Sequence, residues 1–225
     1  MLLLGLFSVA AAHAQPAVCS SDGQPVPVAL LERFISADCA SCWQDSATPV
    51  ALPRHMAIDW IVPGTQGDDA PLSAAAARDA LTRLAATAQP SPTGSAHTVT
   101  NVRPGQIRGT LRVAHGLALN GYVGAAIAYQ PPKDQLHSGT LTAWLLLTEA
   151  IPAGTEGTPV PRQLARNLFM AEWRSSALAK GRARWQASPV MGIPEGTDPT
   201  RLTVVGWVQD AEGRVLAAAQ SRCKP

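Results

Sequence analysis

The chain has 225 residues, 46% of them hydrophobic and 15% charged, with 18 Lys and Arg set against 16 Asp and Glu. This is the balance of an ordinary globular protein, long enough for a sizeable core arranged as one domain or two. The formal charge of +2 is scattered along the chain, with no basic stripe of the kind nucleic-acid binding requires.

Residues 1–14 (MLLLGLFSVAAAHA) carry an apolar run that ends in Ala12-His13-Ala14. This is the small-x-small pattern that precedes signal-peptidase cleavage, so the segment is expected to be a secretory leader. The run is too short to span a bilayer, which takes about 20 residues. Pro16-Ala17-Val18 ahead of Cys19 lacks the Leu-led box of a lipoprotein. Past the leader, residues 141–147 come closest to a membrane segment and are only strand-length.

Residues 25–36 (PVPVALLERFIS) are an apolar, β-branched run interrupted by Glu32-Arg33 and are expected to form a strand. Residues 38–43 turn into a short helix that Pro49 and Pro53 keep from extending. A second strand is expected over 56–62 (MAIDWIV), closed by Pro63-Gly64. Ser73 is a candidate N-cap for a helix over 74–87, where Ala76, Ala80, Leu81, Leu84 and Ala88 recur at helical spacing. The Pro/Ser/Gly-rich segment 89–96 (QPSPTGSA) reads as a domain boundary.

Beyond it the pattern alternates. Leu111, Val113, His115, Leu117 and Leu119 mark one face of a strand, and Asn120-Gly121 is a strong two-residue hairpin turn into Val123, Ala125, Ile127 and Tyr129. Further strands are expected over 140–148 and 183–191, with a helix-like stretch over 163–179 between them. Residues 202–209 and 214–220 read as a hairpin across 210–213. These strands and turns suggest a sandwich-like second unit.

An exported chain with four cysteines points to an oxidising compartment. Cys39 and Cys42 are close enough to pair locally, in which case Cys19 and Cys223 would pair and tie the two ends together. Two free thiols are the competing reading.

Asp38-Cys39-Ala40-Ser41-Cys42-Trp43 follows a strand and opens a short helix. Unpaired amides at a helix start stabilise a thiolate, the only form that attacks a disulfide. The two-residue spacing lets the second sulfur release the mixed disulfide. Cys39 is thus the candidate nucleophile and Cys42 the resolving thiol. A structural staple is the alternative, and a carboxylate at Asp38 would oppose the thiolate. Cys39, Cys42 and His55, with Met56 nearby, are a third option as a copper or zinc site. His97, His115 and His137 show no ligand spacing. Asp68-Asp69 reads as a solvated turn, the six tryptophans as core or interface, and the basic run Arg162, Arg166, Arg174, Lys180, Arg182 and Arg184 as a solvated face.

The stretch VALLERFISADCASCW resembles the opening of an exported bacterial family with a thioredoxin-like fold, catalogued as domain of unknown function 1223. Glu32, Phe34 and Ser36 match its first strand, Cys39 and Cys42 its cysteine pair, and Ile58-Asp59-Trp60 its second strand. Residues 141–149 and 204–219 look like strands of its second half. Asp38 stands where the family has Gly, and Trp43 where a Pro is common. Pro104 is the sole candidate for the cis-proline that such folds place beside the pair.

The sequence therefore predicts an α/β thioredoxin-like unit over residues 22–96 and a β-rich, sandwich-like unit over 97–225. The expected activity is thiol–disulfide exchange on a protein thiol or disulfide partner in the periplasm, with no cofactor, because the cysteines are themselves the redox centre. Neither nucleic acid nor an integral membrane segment after leader removal is part of this reading. The alternative is a non-catalytic exported binding module on a degenerate thioredoxin scaffold with structural disulfides.

Overall fold

The computed structural model describes residues 19–103, 109–132, 139–174 and 184–223. The expected leader, Pro104, and the far end of the expected helix over 163–179 lie outside these residues.

The described chain is mostly β-structure in two sheets. The six-stranded sheet contains β1 (Cys19–Ser20), β5 (Thr110–Leu119), β6 (Tyr122–Gln130), β9 (Trp185–Ala187), β10 (Val190–Gly192) and β13 (Arg222–Cys223). The seven-stranded sheet contains β2 (Ala29–Ser36), β3 (His55–Val62), β4 (Ser95–Asn101), β7 (Thr140–Ile151), β8 (Arg162–Arg174), β11 (Leu202–Gln209) and β12 (Val215–Gln220), in the order β12-β11-β7-β8-β3-β2-β4. β2 and β3 are parallel, and β4 runs antiparallel to β2.

The sheets pack face to face. Val113, Ile127 and Tyr129 of the six-stranded sheet meet Leu145, Leu147, Val204 and Val208 of the other. The opposite face of the seven-stranded sheet presents Phe34, Ile58 and Trp144, and there Ala80 and Leu84 of α2 (Arg78–Ala86) pack onto it. β7 is thus buried on both faces, which is why LTAWLLL reads as a continuous apolar run.

The expected α/β thioredoxin-like unit is not what forms; the architecture is sandwich-like. Among the described residues there are two α-helices, α1 (Ala40–Trp43) of four residues and α2 of nine. β2 and β3 belong to the same sheet as β7, β8, β11 and β12, joined where Asp59 of β3 pairs with Leu164 of β8. The physical reason is edge satisfaction: β3 needs a partner on its second side, and β8 from the second half supplies it. β4 runs through the boundary expected at residue 96.

Three local expectations also change. Residues 162–174 form strand β8, paired with β7 along its whole length, and not a helix. The expected helix over 74–87 shortens, because Ala76 and Ala77 are extended and Ala77 N–H donates to Ile61 O; Ser73 caps nothing and its hydroxyl donates to Asp68 O. In β5 a bulge between His115 and Ala118 inserts an extra residue. The alternation flips there, leaving Leu117 and Leu119 exposed while Ala118 turns to the core. The turn at Asn120-Gly121 has positive φ at both residues (50° and 77°), the geometry that dipeptide favours.

Candidate functional site

β2 ends at Ser36, whose carbonyl accepts from Cys39 N–H at 3.0 Å and turns the chain into α1. Cys39 and Cys42 are joined in a disulfide, and a second disulfide joins Cys19 to Cys223. Cys39 is the N-cap of α1: its Sγ accepts from Cys42 N–H at 3.3 Å, and Ser41 Oγ lies 3.6 Å away. Both sulfur-bearing residues are half-buried. Cys42 packs against a cluster that includes Ile35, Ala37, Trp43 and Ile61.

Two loops frame the pair. Asp38 accepts from Thr65 N–H at 2.7 Å, Thr65 Oγ at 2.9 Å and Gln66 N–H. These bonds, chiefly the one from the Thr65 amide, hold its carboxyl below the ordinary value of 3.8. Its charge is therefore spent on tethering the 64–66 loop, and Gly64 must lack a Cβ because one would collide with the Asp38 carboxylate. On the other side, Gly94 carries its carbonyl to Ser36 N–H at 2.8 Å, and a Cβ there would sit 3.5 Å from Cys42 Sγ. The glycine lets the backbone at residue 94 pass close to Cys42 Sγ without a side chain between them.

Beneath α1 lies a buried ionic cluster. Asp59 of β3 bonds Arg33 of β2 and Arg162 of β8, all three buried. Arg162 donates to Trp43 O at 2.9 Å and to Thr48, and its guanidinium lies 4.9 Å from the Trp43 ring centroid. Arg33 donates to Pro49 O at 2.8 Å. One carboxylate thus orients two cations that clamp the end of α1 and the loop after it. Burial depresses the Arg162 pKa, with Asp59 opposing that shift and Arg33 adding to it.

A second cluster holds α2 to the sheet. Arg83 bonds Glu32 through two nitrogens and Gln209 through a third. It also stacks 4.8 Å and 5.0 Å from the ring centroids of Trp144 and Trp207. A third cluster joins Glu149 to Arg166 and Arg201.

Sequence reasoning missed these ion pairs as units. The signal was present in part: Glu32-Arg33 interrupts one apolar strand and Asp59 another. The expected solvated basic face is divided, since Arg162 and Arg166 are buried against carboxylates whereas Arg174 and Arg184 are exposed. Asp68 and Asp69 form an exposed turn.

The metal option at Cys39, Cys42 and His55 has no geometric basis. His55 opens β3, and the pair follows the opposite end of the paired strand β2, where Ser36 faces Val62. Seven residues of strand separate the two ends, about 23 Å. Met56 is buried in the core. Trp60 is fully buried, stacked on Phe34 and bonded to Glu32. Trp43 is buried too, and with Ile61, Leu72, Ile151, Leu164 and Glu156 it lines a cavity of about 210 Å³ beside α1. A larger cavity of about 360 Å³ lies elsewhere, lined in part by Val26, Arg54, Leu111 and Ala217. No helix among the described residues is long and apolar enough to cross a membrane.

No family model matches the sequence. No curated protein matches it either. Among solved structures, HBP35 of Porphyromonas gingivalis is similar at 12% identity over 88% of this chain and 76% of that one, with a TM-score of 0.49.

Proposed function

We propose that this is an exported protein that exchanges thiols and disulfides with a protein partner through Cys39 and Cys42. The observation that carries the reading is the N-cap position of Cys39, whose sulfur accepts the Cys42 amide in a pair that is only half-buried. α1 is too short for a strong dipole, so support for a Cys39 thiolate rests on that amide and on the Ser41 hydroxyl. A partner thiolate attacks one sulfur of the disulfide, forming a mixed disulfide and freeing the other sulfur as a thiolate; a second partner thiolate then resolves the mixed disulfide, so that the partner is oxidised to its disulfide and Cys39 and Cys42 take up two protons as thiols. In the reverse direction Cys39 attacks a partner disulfide and Cys42 releases the reduced partner. The two disulfides agree with an oxidising compartment. The likeness to the family of unknown function 1223 enters this proposal only through the local segment that carries Glu32, Phe34, Ser36 and the cysteine pair, and not through that family's fold.

A second reading, a non-catalytic exported binding module with a structural Cys39–Cys42 staple, draws on the packing of Cys42 against Ile35, Trp43 and Ile61. The reduction potential of the pair separates the two. The protein is equilibrated in thiol/disulfide buffers, alkylated, and read by peptide mass spectrometry. A potential above about −250 mV supports exchange, whereas one below about −300 mV marks a structural bond and overturns it.

A further inference from the structure

Cys223, Cys19 and His115 stand abreast on three neighbouring strands. Cys19 of β1 pairs with Cys223 of β13 on one side and with His115 of β5 on the other. Residues directly opposite across adjacent strands project to the same face, about 5 Å apart. The two sulfurs and an imidazole nitrogen accordingly lie within 4.8 Å of one another. Cys19 and His115 are buried, and Cys223 is exposed, which gives the trio an opening to solvent.

The state of the imidazole points to a ligand. His115 Nδ1 lies 2.9 Å from the Gly116 carbonyl, which can only accept, so Nδ1 carries the proton. Nε2 is then a bare lone pair, buried and without a hydrogen-bond partner among the described residues. A histidine whose second ring N–H is fixed by a backbone carbonyl is arranged as metal-ligating histidines are.

We propose that Cys19, Cys223 and His115 form a redox-gated Zn²⁺ site, closed while the two sulfurs are bonded to each other. A dithiol reductant opens it: the reductant is oxidised to its disulfide, and the Cys19–Cys223 bond takes up two electrons and two protons to become two thiols. Zn²⁺ then binds the two thiolates and His115 Nε2, releasing the two protons, with water in the fourth position. Tetrahedral Zn–S bonds of about 2.3 Å set the sulfurs about 3.8 Å apart, a spacing that side chains on paired strands reach by side-chain rotation. The site is independent of the Cys39–Cys42 pair and stands or falls apart from any exchange activity there.

The test uses the full chain with Co²⁺ as the probe, reduced by a non-chelating phosphine or left oxidised, with folding followed by far-ultraviolet circular dichroism. The expected result is one cobalt per reduced chain with a thiolate-to-metal charge-transfer band, and none in the oxidised chain. The band should disappear in Cys19→Ser/Cys223→Ser and persist in Cys39→Ser/Cys42→Ser. Both His115→Ala and His115→Gln should weaken Co²⁺ binding by ~10-fold or more. Cobalt binding that survives in the Cys19→Ser/Cys223→Ser variant, or is undiminished in both His115 variants, overturns the proposal. So does a reduced wild-type chain that neither binds cobalt nor regains its fold when cobalt is added.

Discussion

Replacing Asp59 by Asn removes the one carboxylate that two buried guanidiniums share. In the native protein Asp59 bonds Arg33 and Arg162 and also accepts the Gln163 amide at 2.7 Å, with all three side chains within a few per cent of complete burial. Asn keeps the shape and some hydrogen bonds but leaves two cations facing each other out of water. Breaking a buried pair in this way costs about 3–5 kcal/mol, because the stranded charge cannot be resolvated. Equilibrium urea unfolding followed by tryptophan fluorescence reads the loss directly. With a slope of about 2 kcal/mol per molar urea, the midpoint should fall by about 1.5–2.5 M. The apolar triple variant Arg33→Met/Asp59→Leu/Arg162→Met should recover much of that loss, since no charge is then left unpaired. A shift in Asp59→Asn worth less than about 1 kcal/mol would refute the reasoning, because it would mean that water reaches the cluster. Since Arg162 also holds Trp43 O, the same variant should let small thiols reduce Cys39–Cys42 faster than in the wild type.

Gly94→Val should slow reduction of Cys39–Cys42 by a small dithiol, because a side chain built on that Cβ lies over Cys42 Sγ, whereas Gly94→Ala should leave the rate nearly unchanged; reduction is followed by timed alkylation and mass spectrometry. His115 gives the stability a pH dependence of defined sign. Its folded pKa is depressed by burial, so the unfolded chain binds the proton more readily. Stability should therefore fall as pH drops below the ordinary histidine value of 6.5, and that part of the fall should vanish in His115→Asn, as read from urea midpoints across the range.

Several features of this protein are legible in its sequence because neighbours in the chain determine them. Asn120-Gly121 turns a hairpin because both residues accept positive φ and the flanking strands alternate. Cys39 and Cys42 pair across three positions, and Pro49 and Pro53 keep the helix between and after them short. Ala80 and Leu84 face the core at helical spacing.

What local pattern could not decide was which distant segments would meet. Residues 162–174 carry apolar positions compatible with either period, and only the open edges of β3 and β7 make them a strand. That single pairing joins the strands of the first expected unit to β7, β8, β11 and β12 of the second in one sheet. The bulge that turns Leu117 and Leu119 outward is invisible in an alternating run, because one inserted residue reverses every later side chain. Glu32, Arg33 and Asp59 look like flaws in apolar strands until Arg83 and Arg162 arrive from 51 and 103 residues away to pair with them. Likewise His115 gains its sulfur neighbours only when β1, β5 and β13 align. A buried charge is tolerated when its partner is present, and the partner's position belongs to the tertiary structure and not to the local sequence.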